Sequence, residues 1–148
     1  MATENAGAKA QMLPVREDLF TRPLSPLSEV RLAGTECDTC GEVSLGKVAS
    51  CPNCIGQAVH EIKLSRRGRV WTYTIIRHRP PGDYKGPEPF VPFGVGLVEL
   101  PEGIRVLSPI DSPVDQIKIG MAVDLDVYKL FTDEKGDDVI AFRFRRQE

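Results

Sequence analysis

The second half of the chain alternates apolar and polar residues with the period of β structure. From Gly68 to His78, Trp71, Tyr73 and Ile75 fall on one face, and Val70, Thr72, Thr74 and Ile76 fall on the other. Phe93–Leu100 and Ile104–Ile110 are two more such runs, joined by the hairpin signal Pro101-Glu102-Gly103. Ser112 and Pro113 read as the N-cap and first residue of a short helix that Gly120 closes. Met121–Phe131 then places Val123, Leu125 and Val127 inward, with Asp124 and Asp126 outward. After a polar turn at Asp133–Asp138, Val139–Arg145 turns Ile140, Phe142 and Phe144 inward and Arg143 and Arg145 outward. Three strands, a short helix and two strands is the order of an OB-fold, a five-stranded Greek-key barrel. An SH3-like small barrel fits the same strand count. In the OB-fold reading, Arg79–Pro92 and Thr132–Asp138 are the two loops that such barrels use for binding.

The first third is patterned differently. Met1 to Gln11 is small and polar, the composition of a disordered tail. Pro14, Pro23 and Pro26 then leave room only for helical turns at Val15–Phe20 and Leu27–Leu32. The expected division is a flexible, partly helical arm over residues 1–30, a cysteine-bearing ribbon over 31–59 and the barrel over 60–148.

All four cysteines of the chain lie in that ribbon, as Cys37, Cys40, Cys51 and Cys54, spaced C-x2-C-x10-C-x2-C. A C-x2-C turn presents two sulfurs on one side of a tight loop. Two such loops complete a tetrahedron of thiolates at about 2.3 Å from a metal ion. Gly41 follows the first pair, where the backbone must turn with positive φ, and Pro52 stiffens the second. Two disulfides are the competing reading, and the opening MATENAGAKA, which has no apolar signal core, argues against it. Zinc is expected over iron for a closed four-thiolate site outside an evident electron-transfer protein, although ligand type alone does not separate the two. Such an ion has no open position for substrate, so its role is structural.

Composition narrows the partners. A net charge of -2 and a pI near 5.8 disfavour a purely electrostatic nucleic-acid binder. No apolar run is long enough to cross a membrane as a helix, and the expected location is the cytoplasm. A catalytic constellation is equally hard to find. The thiols are assigned to metal, and the two histidines, His60 and His78, read as a strand residue beside the ribbon and a solvated strand end. Glu99 and Glu102 flank the hairpin turn as solvated carboxylates, and no phosphate-cradling glycine motif is present.

Taken together, CDTCGEV…CPNC and the stretch GRVWTYTIIRHRPPGDYKGPEPFVPFGVGLVELPEGIRVLSPI resemble a known family. Its members are acyl-CoA-associated OB-fold proteins with an N-terminal rubredoxin-like zinc ribbon, formerly a domain of unknown function. The resemblance spans about Leu32 to Arg145. It implies a small partner subunit of thiolase-fold enzymes: thiolases, acyltransferases and retro-aldolases acting on CoA thioesters, often in aromatic or steroid degradation. It implies a hetero-oligomer in which this chain stabilises the larger enzyme and helps form its acyl-CoA channel without a nucleophile of its own. One departure stands out. The family commonly begins with an aromatic-rich helical hairpin, whereas here that region is short, interrupted by proline, and has Phe20 as its only aromatic residue.

In that setting two clusters become candidate contacts with CoA or the partner. Arg66, Arg67 and Arg69 surround Gly68, and Arg77, His78, Arg79 and Lys85 lie at or beyond the other end of the same strand. Arginine forks suit the phosphates of CoA; a charged edge strand that resists aggregation is the plainer explanation. In the proline-rich loop, Tyr84 and Phe90 are candidate contacts for a partner or acyl group, while Phe93 is expected in the core. A single-stranded nucleic-acid module and rubredoxin-like electron transfer are the readings from other classes.

Overall fold

The structure, a computed structural model, describes residues 11–147. The expected disordered tail lies outside those residues except for Gln11. Among the described residues nine strands form: β1 (Met12–Pro14), β2 (Ala33–Cys37), β3 (Val43–Leu45), β4 (Val59–Lys63), β5 (Arg67–Ile76), β6 (Phe93–Glu99), β7 (Arg105–Asp111), β8 (Ala122–Thr132) and β9 (Asp138–Arg146). The larger sheet runs β1-β9-β7-β6-β5-β8, and β8 also pairs with β9, so β5 to β9 close into a five-stranded barrel. The β7–β9 pair is parallel, with Ile110 opposite Phe144, and the other barrel pairs are antiparallel. This is the OB-fold order anticipated from the alternation. Closure removes most sheet edges.

Alternation fills the barrel. Val98, Val106, Ile110, Val123, Leu125, Val127, Ile140 and Phe144 are buried, while Asp124, Asp126 and Arg143 remain on the outside. Gly96 makes one close approach possible, because a Cβ there would stand 2.7 Å from the Thr72 carbonyl oxygen.

Four local expectations are corrected. A β-bulge between Val70 and Thr72 breaks the alternation of the first barrel strand. Val70, Tyr73 and Ile75 consequently lie on the inner side with Val98, Gly96 and Gly94, while Trp71 turns outward beneath the Arg105 guanidinium, 4.0 Å from its ring centroid. Val15–Phe20 is not helical; it bends through Asp18, which has φ 63°, into a bridge between Phe20 and Leu32. Leu27–Leu32 shortens to one 3-10 turn over Leu27–Glu29. The helix expected after Ser112 is likewise a 3-10 turn, Val114–Gln116, and the Ser112 hydroxyl donates to the Pro113 carbonyl instead of capping it. Turns this short add few hydrogen bonds, so their position is set by the apolar side chains beside them.

Between residues 11 and 30 the arm is anchored rather than flexible. Leu19, Phe20, Leu24 and Val30 are buried in the same core as the barrel residues. Two arginines tie it down. Arg31 donates to the Leu64 and Lys63 carbonyls, and Arg66 donates to the carbonyls of Val30 and Leu125. The ribbon's sheet, β3-β2-β4, extends to Lys63 and meets the barrel strand β5 four residues later.

Candidate functional site

Each cysteine pair occupies a tight turn, and the two turns are built alike. The first follows β2: the Gly41 N–H donates to the Cys37 carbonyl at 3.0 Å, and Gly41 has φ 80°. In the second, the Ile55 N–H donates to the Cys51 carbonyl at 2.9 Å, and Ile55 has φ 66°. Glycine adopts that left-handed backbone freely; a β-branched residue does so under strain. The sequence signalled the first turn through Gly41 and gave no such signal for Ile55.

The four sulfurs lie within 4.8 Å of one another, with Cys37–Cys54 at 3.6 Å and Cys40–Cys51 at 3.5 Å. Four metal–sulfur bonds of 2.3 Å enclose a tetrahedron with edges of about 3.8 Å, so this donor set fits one metal ion. Main-chain N–H groups support it. Thr39 and Cys40 donate to the Cys37 sulfur at 3.4 and 3.5 Å, and Asn53 and Cys54 donate to the Cys51 sulfur at 3.3 and 3.5 Å. The hydrogen bonds from Cys40 and Thr39 lower the Cys37 thiol to about 6, and the Asn53 amide lowers Cys40. Thiolates are the form a metal binds, so the turns favour that form at Cys37 and Cys40. At Cys54 the hydrogen bond from Gly56 is outweighed by the neighbouring thiols, Cys37 foremost, which push it up to about 11. Beside the centre, His60 lies between Glu36 at 3.2 Å and Asp38 at 2.7 Å. It fastens β4 to β2, a role its sequence context did not reveal.

The basic candidates fall into two groups. Arg66, Arg67 and Arg69 lie at the start of β5 and Arg77, His78, Arg79 and Lys85 at or beyond its far end, the nearest pair, Arg69 and Arg77, being about 26 Å apart along an extended strand. The first group is largely engaged by its own fold. Arg66 bonds two main-chain carbonyls, Arg67 pairs with Asp124 at 3.5 Å, and Arg69 donates to the Gly120 carbonyl. At the far end, Arg79 closes the proline-rich loop on Glu88 at 2.6 Å, and Lys85 pairs with Asp83 while lying over Phe131. Arg77 and His78 are exposed, and neither has an ion-pair partner among the described residues.

Within this loop Tyr84 stacks on Phe93 with centroids 6.1 Å apart, and Phe90 contacts both rings. The Tyr84 ring lies directly over Gly86, where any Cβ would collide with it. The loop is therefore a small aromatic cluster of its own, half-exposed at Tyr84, Phe90 and Phe93. Glu102 also departs from expectation. Its Oε2 accepts from the Ser65 N–H and hydroxyl at 3.0 and 2.8 Å, and its Oε1 is buried without a partner. It joins the hairpin to the segment between ribbon and barrel.

A four-cysteine ribbon on an OB barrel defines a class of small β proteins. The comparisons place this chain within it. Residues 61–127 match the family described as ChsH2, C-terminal OB-fold domain. A DUF35 domain-containing scaffold protein of Methanothermobacter thermautotrophicus is 36% identical over 116 residues, which are 77% of this chain and 84% of that protein. Benzoylsuccinyl-CoA thiolase subunit BbsA of Thauera aromatica is 25% identical, over 78% of this chain and 76% of its own. The solved structure of the Ltp2-ChsH2(DUF35) aldolase is similar at a TM-score of 0.57 and 28% identity, covering 77% of this chain and 84% of that one. The chain belongs to the DUF35 family of OB-fold proteins.

Proposed function

We propose that this chain is a non-catalytic subunit of a thiolase-type complex that cleaves or forms C–C bonds in acyl-CoA substrates. The observation that carries the reading is its similarity, along more than three quarters of its length, to a protein named as a subunit of a CoA thiolase. The similarity to an aldolase assembly that contains a DUF35 chain points the same way. Zinc in the four-cysteine centre holds the ribbon closed, and the nucleophile belongs to the partner enzyme. The chain acts in the cytoplasm, where thiols stay reduced.

Arg77 and His78, beside the aromatic loop of Tyr84, Phe90 and Lys85, are the proposed contacts for CoA phosphates or partner carboxylates. Arg77 is the better candidate because its guanidinium has no competing ion pair among the described residues. Arg66 is not retained in this role, because two carbonyls already hold its guanidinium. The proposal extends to aromatic or steroid degradation as the metabolic setting.

The test is co-expression with a thiolase-fold enzyme encoded beside it, followed by size exclusion and a thiolysis or retro-aldol assay. Co-elution is expected, with activity in the complex and none in this chain alone. Turnover by the isolated chain, or failure to associate with any thioester enzyme, contradicts the proposal.

A further inference from the structure

Strand β5 pairs with β6 from Arg69 to Ile76 but meets β8 only at Arg67–Arg69. The last bonds on the β8 side are those of Val70, to the Met121 carbonyl and from the Gly120 N–H. Beyond them the run Trp71-Thr72-Tyr73-Thr74-Ile75-Ile76 has one unpaired edge. Val70 points to β8, and the bulge shifts the phase by one residue. Tyr73 and Ile75 therefore turn their N–H and C=O groups toward the open side. Both faces of the run are accessible as well. Trp71 is 45% exposed on the outer face, and Tyr73 is 36% exposed on the inner face.

An edge of this kind is unusual in a protein that works alone. Proteins blunt free edges with charges, prolines or shortening, yet these six residues include no charge, no proline and no glycine. All are β-branched or aromatic, the residues that pair best in sheets. The cations stand at the ends of the run instead. Arg69 precedes it and Arg77 follows it, neither with a carboxylate partner among the described residues.

We infer that the Trp71–Ile76 edge receives an extended strand of the partner enzyme, apolar or β-branched at its centre and acidic at its flanks. This deepens the proposed function and rests on it. Charge selects this occupant over a second copy of the chain. An antiparallel copy centred on Tyr73 places Arg69 against Arg77, and the next register that keeps Tyr73 and Ile75 facing the partner, centred on Thr74, places Arg69 against Arg79. Like charges at both ends oppose that pairing, whereas carboxylates on a foreign strand favour docking there. Main-chain bonds of an added strand supply affinity, and the alternating side-chain contacts supply specificity.

The experiment is hydrogen–deuterium exchange on the full chain, free and in complex with the co-expressed thiolase-fold enzyme. In the free chain the Tyr73 and Ile75 amides exchange fast. In the complex their protection should rise by roughly tenfold or more. Tyr73→Pro, which removes an edge donor while leaving the β6 ladder, should weaken association by about tenfold, with the fold checked by circular dichroism. A complex that forms with exchange in 70–77 unchanged overturns the edge assignment and leaves the proposed function standing. Protection already present in the free chain, together with a dimer by light scattering, assigns the edge to a second copy and overturns the inference. Absence of any complex overturns both. The wild-type exchange result decides the matter even if Tyr73→Pro does not fold.

Discussion

Ile55 offers a direct test of how the second cysteine turn is built. Its backbone has φ 66°, while Gly41, at the matching place in the first turn, has φ 80°. Left-handed backbone costs an L residue about 1–2 kcal/mol, and a β-branched side chain is among the least suited to it. Little packing offsets that cost, because Ile55 is 73% exposed. The comparison that isolates the backbone is Ile55→Gly against Ile55→Ala, since both remove the same exposed contacts. Glycine relieves the strain but adds roughly 0.4–1 kcal/mol of unfolded-state entropy, so Ile55→Gly should exceed Ile55→Ala by about 1 kcal/mol. In a domain of this size that corresponds to about 2–4 °C in Tm. Urea denaturation and thermal melts of the metal-loaded proteins measure it. At an ordinary position the sign is reversed, because glycine is then the weaker residue by about 0.5–1 kcal/mol. An Ile55→Ala protein as stable as Ile55→Gly, or more so, refutes the reasoning.

Other consequences can be measured alongside. Cys37→Ser or Cys51→Ser should abolish metal retention, measured by elemental analysis, and unfold the ribbon, since structural zinc contributes on the order of 10 kcal/mol; metal at wild-type stoichiometry in either variant contradicts a single four-thiolate centre. Arg66→Ala should destabilise the free chain by about 2 kcal/mol, because it leaves the Val30 and Leu125 carbonyls without a charged donor. Arg77→Ala should leave the free chain's stability unchanged and raise the complex's KM for a CoA ester several-fold; an unchanged KM removes the phosphate role. Ser65→Ala should cost about 1 kcal/mol in chemical denaturation, because it takes one of two donors from the Glu102 carboxylate.

The barrel was legible in the sequence because most of its strand residues alternate with a period of two, apart from the bulges in β5 and β8. Val123, Leu125 and Val127 face inward as their spacing requires, and so do Ile140 and Phe144. The metal centre was legible because four cysteines at fixed spacing leave few alternatives. What escaped depended on contacts between distant segments. The bulge at Trp71 arises where β5 must follow β6 around the barrel, and nothing local to Val70-Trp71-Thr72 announces it. Leu19, Phe20 and Leu24 entered the core by packing with barrel residues far along the chain; their proline-rich context spoke only of a broken helix. Arg66 looked like its basic neighbours until the Val30 and Leu125 carbonyls, 36 and 59 residues away, came within reach of it. Glu102 likewise gained its partner, Ser65, only through folding.

The central claim, that this polypeptide works by joining a larger thioester enzyme, reduces to one assay. Thiolysis or retro-aldol activity is measured for the thiolase-fold enzyme alone, for this chain alone and for the co-purified pair. The account predicts no turnover by this chain, and association with the enzyme accompanied by higher or more durable activity of the pair. Activity in the isolated chain, or an enzyme that neither binds it nor responds to it, contradicts the account.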